Sequence, residues 1–340
     1  MTKKIWIDLL NPSHPLFFKP IIRDLEKEYD IQVTVRHRAE TISLTKLLGI
    51  NAEIKGAYYD DKKAKTIATV NRVITLFSQV KSFDWSISLE NSDCVAASRM
   101  RLKKSILLFD NDLKYKQRGS LIQNLENGVK LFANHIIIPK AAENTFKAYT
   151  SRKNIHTFNG YKEDIYLADY QPDPKVKELF PFDHFVVIRP EALESFYVRG
   201  HQSIIPALLF FFKVNEIPVV YLPREEVDKK LANGFDVFIP KEPVNGLDLC
   251  YYADAVLTGS GTMAREAACM GKPSVSFFPN TKFLSVDQQL INAGKIIHSR
   301  QAQEIGEYVL SQKDKKSNTE FTRSKKVKKE VLRIIRDILE

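Results

Sequence analysis

Short, continuous apolar runs alternate along this chain with longer segments in which apolar residues recur every three to four positions. The first pattern suits strands covered on both faces of a parallel sheet, and the second suits amphipathic helices. Their alternation predicts an α/β chain of parallel strands joined by crossover helices. Strands are expected at residues 5–9, 31–35, 84–89, 105–109, 136–139 and 155–158. Helices are expected from about Leu16, where Phe17, Ile21 and Leu25 share a stripe, over 67–80 and 95–101, and from 140 through Ala148. Residues 168–182 hold three prolines and no periodicity, the composition of an interdomain linker. The pattern then restarts, with strands at 184–188, 218–222, 237–239, 255–258 and 274–278. Helices follow at 203–214, 262–270, 302–311 and 325–339. The last carries Val327, Val331, Ile334, Ile335 and Ile338 on one stripe, so it must dock on something. The expected organisation is an N-terminal domain over 1–168, a linker over 169–182 and a second domain over 183–324. The helix over 325–340 has the N-terminal domain as one place to pack.

The length of 340 residues fits two domains better than one, and 44% hydrophobic with 27% charged residues is ordinary globular composition. Residues 1–10 carry two lysines, but the apolar run after them is short and contains Asp8, unlike a secretory signal. The longest apolar stretch, 204–212, is about half of a membrane span and reads as a buried helix. Cys94, Cys250 and Cys269 are far apart and no CxxC or HExxH occurs, which argues against a zinc site or a disulfide framework. The expected compartment is the cytoplasm. Net charge is +10, and residues 313–336 alone hold ten Lys/Arg against three Asp/Glu. That tail reads as a solvated helix face or as a patch for anionic lipid. Only Phe321 interleaves its cations, so stacking on single-stranded bases has little support and no nucleic-acid partner is expected.

The most informative stretch is 254–278, where a strand runs into Gly259-Ser260-Gly261-Thr262, a helix, Gly271-Lys272-Pro273 and a further strand. Two glycines allow a tight turn and close approach of a ligand to the backbone. The helix opens with unpaired N–H groups and a positive dipole end, a place for a diphosphate. Ser260 and Thr262 add hydroxyls, and Glu266, one turn in, can accept two ribose hydroxyls. The plain alternative is a strand–turn–helix connection with a capping threonine. The same letters spell G-x-G-x-x-A, but the next strand ends at Phe278-Pro279-Asn280 without an acidic residue for a ribose, which disfavours a nicotinamide dehydrogenase.

These residues resemble the GT-B superfamily of glycosyltransferases and non-hydrolysing UDP-N-acetylglucosamine 2-epimerases. The epimerase segment Asp-Ser-Gly-Gly-x-x-Glu-Glu-Ala…Gly-Lys-Pro is matched by Gly259 to Thr262, Arg265-Glu266-Ala267 and Gly271-Lys272-Pro273. Gly259 replaces the aspartate and Arg265 the first glutamate. More narrowly, the chain looks like an uncharacterised, largely archaeal family within that superfamily. The marks are IWIDLxNPxHxxFFKP at 5–20, VIRPEAxxSxYV at 187–198 and SGTMAREAAxxGxPSxSFFP at 260–279. The resemblance implies two Rossmann-like domains with parallel sheets facing a cleft, the first on the acceptor side and the second holding a nucleotide-sugar. Ligands of open α/β sheets sit beyond the carboxyl ends of the strands. Asn11, Ser13 and His14 follow the first strand; His14 is an acid, a base or a phosphate contact, or a helix-start histidine with none of these roles. Glu90-Asn91-Ser92 resembles the epimerase His-Gly-Asp loop, with Glu90 departing from it. Asp110-Asn111-Asp112 stands where the resemblance places a catalytic carboxylate; two nearby acids can differ in pKa, and a plain polar turn is the alternative. Arg189-Pro190-Glu191 resembles the epimerase His-Arg-Arg-Glu-Asn loop, but the histidine is missing. Ser285 and Asp287 fall where transferases contact donor sugar hydroxyls. His298 reads as a core or surface histidine.

The leading expectation is a metal-independent glycosyltransferase. The helix at Thr262 and the Arg189 side chain would stabilise the leaving diphosphate, and Asp110, Asp112 or Glu90 would act as general base. The remaining site residues are Glu191, Gly259, Ser260, Gly261, Glu266 and Asp287 for the nucleotide-sugar, and His14 for catalysis. A 2-epimerase-like reaction and a non-catalytic nucleotide-sugar binder stand as alternatives. No cofactor beyond the substrate and no metal is expected, although Asp110-Asn111-Asp112 has the DxD spelling. The acceptor could be lipid-linked, with the tail and Lys62, Lys63 and Lys65 giving peripheral membrane contact.

Overall fold

Every named strand lies parallel to its neighbours, in two separate sheets. The computed structural model describes residues 2–57, 62–116, 120–150, 154–191, 202–280, 282–312 and 321–340, with side chains in the helix at 62 from residue 67 onward. The chain divides into two compact units, Met1–Asp169 with Ser324–Glu340, and Tyr170–Arg323.

Unit 1 opens with β1 (Lys4–Leu9), α1 (Ser13–Leu25), β2 (Asp30–His37), α2 (Ala39–Leu47) and β3 (Glu53–Ala57). It continues with α3 (Lys62–Gln79), β4 (Trp85–Leu89), α4 (Ser92–Met100), β5 (Lys104–Leu108), α5 (Leu113–Lys116) and α6 (Leu121–Leu131). β6 (His135–Pro139), α7 (Glu143–Tyr149), β7 (Ile155–Phe158) and α8 (Lys162–Leu167) complete this part. The sheet order is β3-β2-β1-β4-β5-β6-β7. Strand order reverses between β1 and β4, the switch point at which such sheets open a crevice. β1 is buried from Ile5 to Leu9, and a strand covered on both faces reads as a continuous apolar run.

Unit 2 contains a 3₁₀ turn (Pro174–Leu179), β8 (Val186–Arg189), α9 (Ile205–Val214), β9 (Val219–Tyr221), α10 (Glu226–Leu231) and α11 (Gly246–Tyr252). β10 (Ala255–Thr258), α12 (Gly261–Cys269), β11 (Ser274–Ser276), α13 (Ser285–Asn292), β12 (Ile297–His298) and α14 (Ala302–Gln312) follow. Its order is β12-β11-β10-β8-β9, with the reversal between β8 and β10. The apolar stretch at 204–212 is α9, whose Ile205, Leu208, Leu209 and Phe212 enter this unit's core. Among the described residues no helix is long and apolar enough to cross a membrane.

The last helix, α15 (Thr322–Leu339), belongs to unit 1 from Ser324 onward. Val327, Val331, Leu332, Ile335 and Leu339 are buried, while Ile334 and Ile338 of the expected stripe are half-buried. Ser324 Oγ donates to Asp164 at 2.9 Å, and a Cβ on Gly160 would lie 2.4 Å from Val327.

Three expectations change. Residues 237–239 form a single bridge, Val220 to Phe238, and no strand. The proline-rich 169–182 is folded rather than a free linker: Phe180 is buried, and its ring and that of Phe182 pack on Phe185 and Phe238. α1 starts at Ser13, earlier than the apolar stripe suggests, with Pro15 in its first turn, where a missing N–H costs nothing.

Candidate functional site

In unit 2 the two strands at the switch point deliver the signature residues side by side, Thr258 lying in register with Arg189. The Gly259 N–H donates to the Arg189 carbonyl at 3.0 Å, and the Ser260 N–H to Thr258 Oγ1 at 2.8 Å. A Cβ on Gly259 would lie 2.6 Å from the Glu191 Cα, closer than real contacts allow. Its glycine therefore lets two protein loops touch, and the expected approach of a ligand is not what requires it. α12 then begins at Gly261, and Ser260 at its N-cap makes no side-chain capping bond. The helix start keeps the orphan donors and positive end that favour an anion.

Charged side chains flank that start. Arg265, which replaces the first glutamate of the resemblance, is buried and pairs with Asp287 at 2.6 Å. Its Nη2 reaches Thr262 Oγ1 at 3.4 Å. Its Nη1 lies 3.1 Å from where a Cβ on Gly261 would stand, so guanidinium and helix start are adjacent. Asp287 is thus engaged by Arg265, a partner the sequence had shown only as a departure. Glu266 is half-buried one turn into α12. Arg189 is half-buried at the end of β8, and its Nε has no hydrogen-bond partner among the described residues.

Glu191 departs from the ligand-facing role expected of it. It is fully buried, accepting from Ser203 Oγ at 2.8 Å and from Arg300 at 3.1 Å, so it ties the β8 loop to its own unit. Ser285 opens α13, and His298 is half-buried in β12 with the Phe283 ring edge-on at 4.6 Å. Burial lowers the His298 pKa. Residues 192–198 of the 187–198 motif lie outside the described residues.

In unit 1 the carboxyl ends of β1, β4 and β5 bring together His14, Glu90 and Asp110. Beneath them is a buried charge network. Asp8 is fully buried and accepts from both ends of the switch point: Arg72 at 2.8 and 2.9 Å, Thr34 at 2.5 Å and Asn91 Nδ2 at 2.6 Å. Arg72 also holds Asp93 at 3.0 Å. Asn91 Oδ1 accepts from the N–H groups of Asp93 and Cys94 and so caps α4. A buried carboxylate is tolerable only when paired and hydrogen-bonded in this way. Asp8 was visible inside its apolar run, but nothing in the sequence pointed to Arg72.

Glu90, next in sequence to the Asn91 of this network, has φ 49°, in the left-handed region. Its carboxylate accepts from the Asn111 N–H at 2.9 Å. Burial first, then the negative charge of Asp110 and a hydrogen bond with it, raise its pKa to about 7. Asp110 is paired with Lys162 at 2.8 Å; that lysine follows the β7 end and was not singled out from the sequence. The expected acid pair Asp110 and Asp112 is not the pair that forms. Asp112 is fully buried, accepting from Thr145 at 2.8 Å and pairing with Lys116 at 2.9 Å, and so joins α5 to α7. Glu90 takes its place beside Asp110.

His14 is buried, and its Nδ1 accepts from the Leu10 N–H at 3.1 Å, which leaves the ring hydrogen on Nε2. Burial, then the cations Lys162, Arg36 and Arg72, hold its pKa down to about 3. It is a neutral Nε2–H donor at physiological pH, so of the roles expected for it the acid by way of an imidazolium is removed. The basic tail is partly engaged: Lys328 pairs with Asp24 at 2.8 Å and Asp169 at 2.7 Å, and Arg336 with Glu28 at 2.8 Å. The side chains of Lys62, Lys63 and Lys65 lie outside the described residues.

The chain belongs to the family described as "Protein of unknown function (DUF354)", which matches its residues 3–337. It is 29% identical over 318 residues to "Uncharacterized protein MJ0665" of Methanocaldococcus jannaschii, covering 90% of each chain. Its fold is similar to that of UDP-GlcNAc 2-epimerase from Neisseria meningitidis bound to UDP-GlcNAc, with a TM-score of 0.70 and 13% identity over 98% of this chain and 100% of that one. It is also similar to Anabaena Alr3699/HepE in complex with UDP and glucose, with a TM-score of 0.66 and 15% identity over 100% and 98%. The fold is therefore α/β with two parallel sheets, of the GT-B type.

Proposed function

We propose that this member of the family is an enzyme that acts on a nucleotide-sugar without a metal ion. Unit 2 holds the nucleotide and unit 1 supplies acid/base chemistry. The observation that carries the ligand class is the start of α12: without a side-chain cap, with the Arg265 guanidinium beside it and, one strand away, the Arg189 Nε, which has no hydrogen-bond partner among the described residues. Two guanidinium groups and a helix N-terminus suit a diphosphate, and Glu266 suits the two hydroxyls of a ribose. Glu90, with a pKa of about 7, suits proton transfer, since a general base works best when its pKa lies near the working pH. Lys162 favours the charged form of that same cluster.

Glycosyl transfer to an acceptor hydroxyl is the reading we favour. Glu90 with Asp110 removes the acceptor proton, and the cations at α12 stabilise the diphosphate that leaves. A lipid-linked acceptor is compatible with the exposed tail lysines Lys325, Lys326 and Lys329, which make no ion pair among the described residues. A 2-epimerase-like reaction is the second reading, favoured by the fold likeness to an epimerase with bound UDP-GlcNAc. Against it stands the missing histidine of the epimerase loop, whose matching position here is Ile188 or Arg189.

Calorimetric titration with UDP, other nucleoside diphosphates and UDP-N-acetylglucosamine tests the ligand class. A nucleotide should bind the intact chain, and Glu266→Ala should weaken it at least tenfold, about 1.4 kcal/mol. If no nucleoside diphosphate or nucleotide-sugar binds at millimolar concentration, the reading fails. An epimer formed from UDP-N-acetylglucosamine by protein alone would select the second reaction over the first.

A further inference from the structure

We infer that the buried Asp8–Arg72 pair is a positioning device: through Asn91 it holds the Glu90 side chain against Asp110. The inference deepens the acid/base role proposed for Glu90 and rests on that role for its purpose, though not for its geometry. Asp8 lies in β1, in register with Ser88 of β4. Each of its oxygens accepts two hydrogen bonds. Oδ1 takes Arg72 at 2.9 Å and Thr34 at 2.5 Å, and Oδ2 takes Arg72 at 2.8 Å and Asn91 Nδ2 at 2.6 Å. Trp6 Nε1 in turn fixes the Thr34 hydroxyl at 2.8 Å. Arg72 also reaches Asp93 at 3.0 Å, and β3 crosses its stem so closely that a Cβ on Gly56 would lie 2.5 Å from Arg72 Cγ. The Asp8 carboxylate thus has its lone pairs occupied and no freedom to turn. Replacing a buried ion pair by apolar side chains of the same volume is often neutral for stability, so stability alone does not explain this one.

What the pair fixes is the turn from β4 into α4. Asn91 is fully buried, and both ends of its amide are taken: Nδ2 by Asp8, and Oδ1 by the N–H groups of Asp93 and Cys94 at 3.1 and 3.2 Å. On the other side Leu89 is held in the sheet, in register with Leu108 of β5. Glu90 alone joins these two fixed residues, and its N–H donates to the Leu108 carbonyl at 2.9 Å. It makes the turn with φ 49°, a conformation that glycine adopts freely and glutamate does not. A glutamate rather than a glycine at such a position points to a use for its side chain. That side chain meets the Asn111 N–H at 2.9 Å and the carboxyl group of Asp110. The other titratable groups facing it are Lys114 and Tyr115 of α5, Lys130 of α6 and Lys162 of α8. With Asn91 released from Asp8, the turn is free to relax to negative φ and to carry the carboxylate away from Asp110.

Asn91→Ser tests this in the full chain, because serine keeps an oxygen to cap α4 but is too short to reach Asp8. Nuclear magnetic resonance of glutamate labelled at the side-chain carboxyl carbon follows the titration of Glu90, whose signal is identified by its loss in Glu90→Gln. In wild type this carboxyl should titrate at about pH 7, and in Asn91→Ser about one to two pH units lower, toward the ordinary 4.5. A second measurement separates the turn from the charge. Glu90→Gly and Glu90→Ala both lack the carboxylate and differ in their tolerance of positive φ. With Asn91 in place the glycine variant should melt at the higher temperature, and with Asn91→Ser the order should reverse. If Asn91→Ser does not fold, Thr34→Val, which removes one hydrogen bond from Asp8, should lower the Glu90 titration in the same direction. A Glu90 titration unchanged in the variant that folds overturns the inference. So does an alanine variant that melts above the glycine variant with Asn91 in place, or a glycine variant that still melts higher with Asn91→Ser. Both readouts are made without nucleotide, so a chain that binds no nucleotide-sugar would sink the proposed function and leave this result standing.

Discussion

Glu90 shows how much chemistry can follow from one residue's surroundings. In the unfolded chain its carboxyl titrates near 4.5, but in the folded chain the proton stays on until about pH 7. The native state thus holds more protons than the unfolded one between these values, so this residue's contribution falls as pH rises from about 4.5 to 7. His14 works the other way. Its folded pKa of about 3 against 6.5 means stability gained as pH rises from about 3 to 6.5. Where the two windows overlap they oppose each other, and the wild-type curve conceals both. The difference between wild type and Glu90→Gln isolates the first. In chemical denaturation, wild type should lose on the order of 1–3 kcal/mol relative to the variant between pH 4.5 and 7, and nothing more above that. A difference that is flat with pH would mean that Asp110 and burial do not hold the proton on Glu90.

At the scale of elements, the β10 turn and α12 are where sequence and structure agree on position and differ on cause. Gly259 was legible as a required glycine, but the reason lies in Glu191, whose backbone it touches. A methyl group there has to move one loop off the other. Gly259→Ala should therefore lower stability by about 1–3 kcal/mol in thermal or chemical denaturation, with or without nucleotide. If it instead left stability intact and abolished nucleotide binding, the glycine would belong to the ligand after all. The same division between pattern and contact explains what could be read elsewhere. Strands such as β1 and β10 were legible because burial on both faces makes them short, almost continuous apolar runs, interrupted in β1 only by Asp8, and β4 because its apolar residues alternate with small serines. α2 was silent because its inward residues are Thr41 and Thr45. α6 was silent because it buries Asn127 and Lys130 while exposing leucines, an inversion that periodicity cannot flag. In the candidate site, positions after strand ends were legible from turn chemistry. Partners were not: Arg72, Lys162, Arg265 and Arg300 reach their carboxylates across 64, 52, 22 and 109 residues of sequence.

Over the whole molecule, the order of the chain is not the order of its parts. Unit 1 begins at the N-terminus and is finished only by Ser324–Glu340, after unit 2 has been made. α15 buries Val327, Val331, Leu332, Ile335 and Leu339 and seals Gly160 beneath Val327. At about 1.5–3 kcal/mol for each large side chain, losing them removes on the order of 10 kcal/mol, comparable to the whole stability of a domain. Asp164 would also lose Ser324, and Asp24 and Asp169 would lose Lys328. Ending the chain at residue 321 should therefore abolish the cooperative fold of unit 1 and leave unit 2, whose core contains none of these residues, with its own. Hydrogen exchange reads this directly: amides of β1, α1 and α8 should lose protection, while those of β10, α12 and α9 keep it. If both units lost protection together, unit 2 would depend on unit 1 for its stability. If neither did, α15 would be a decoration on a domain already complete at Asp169.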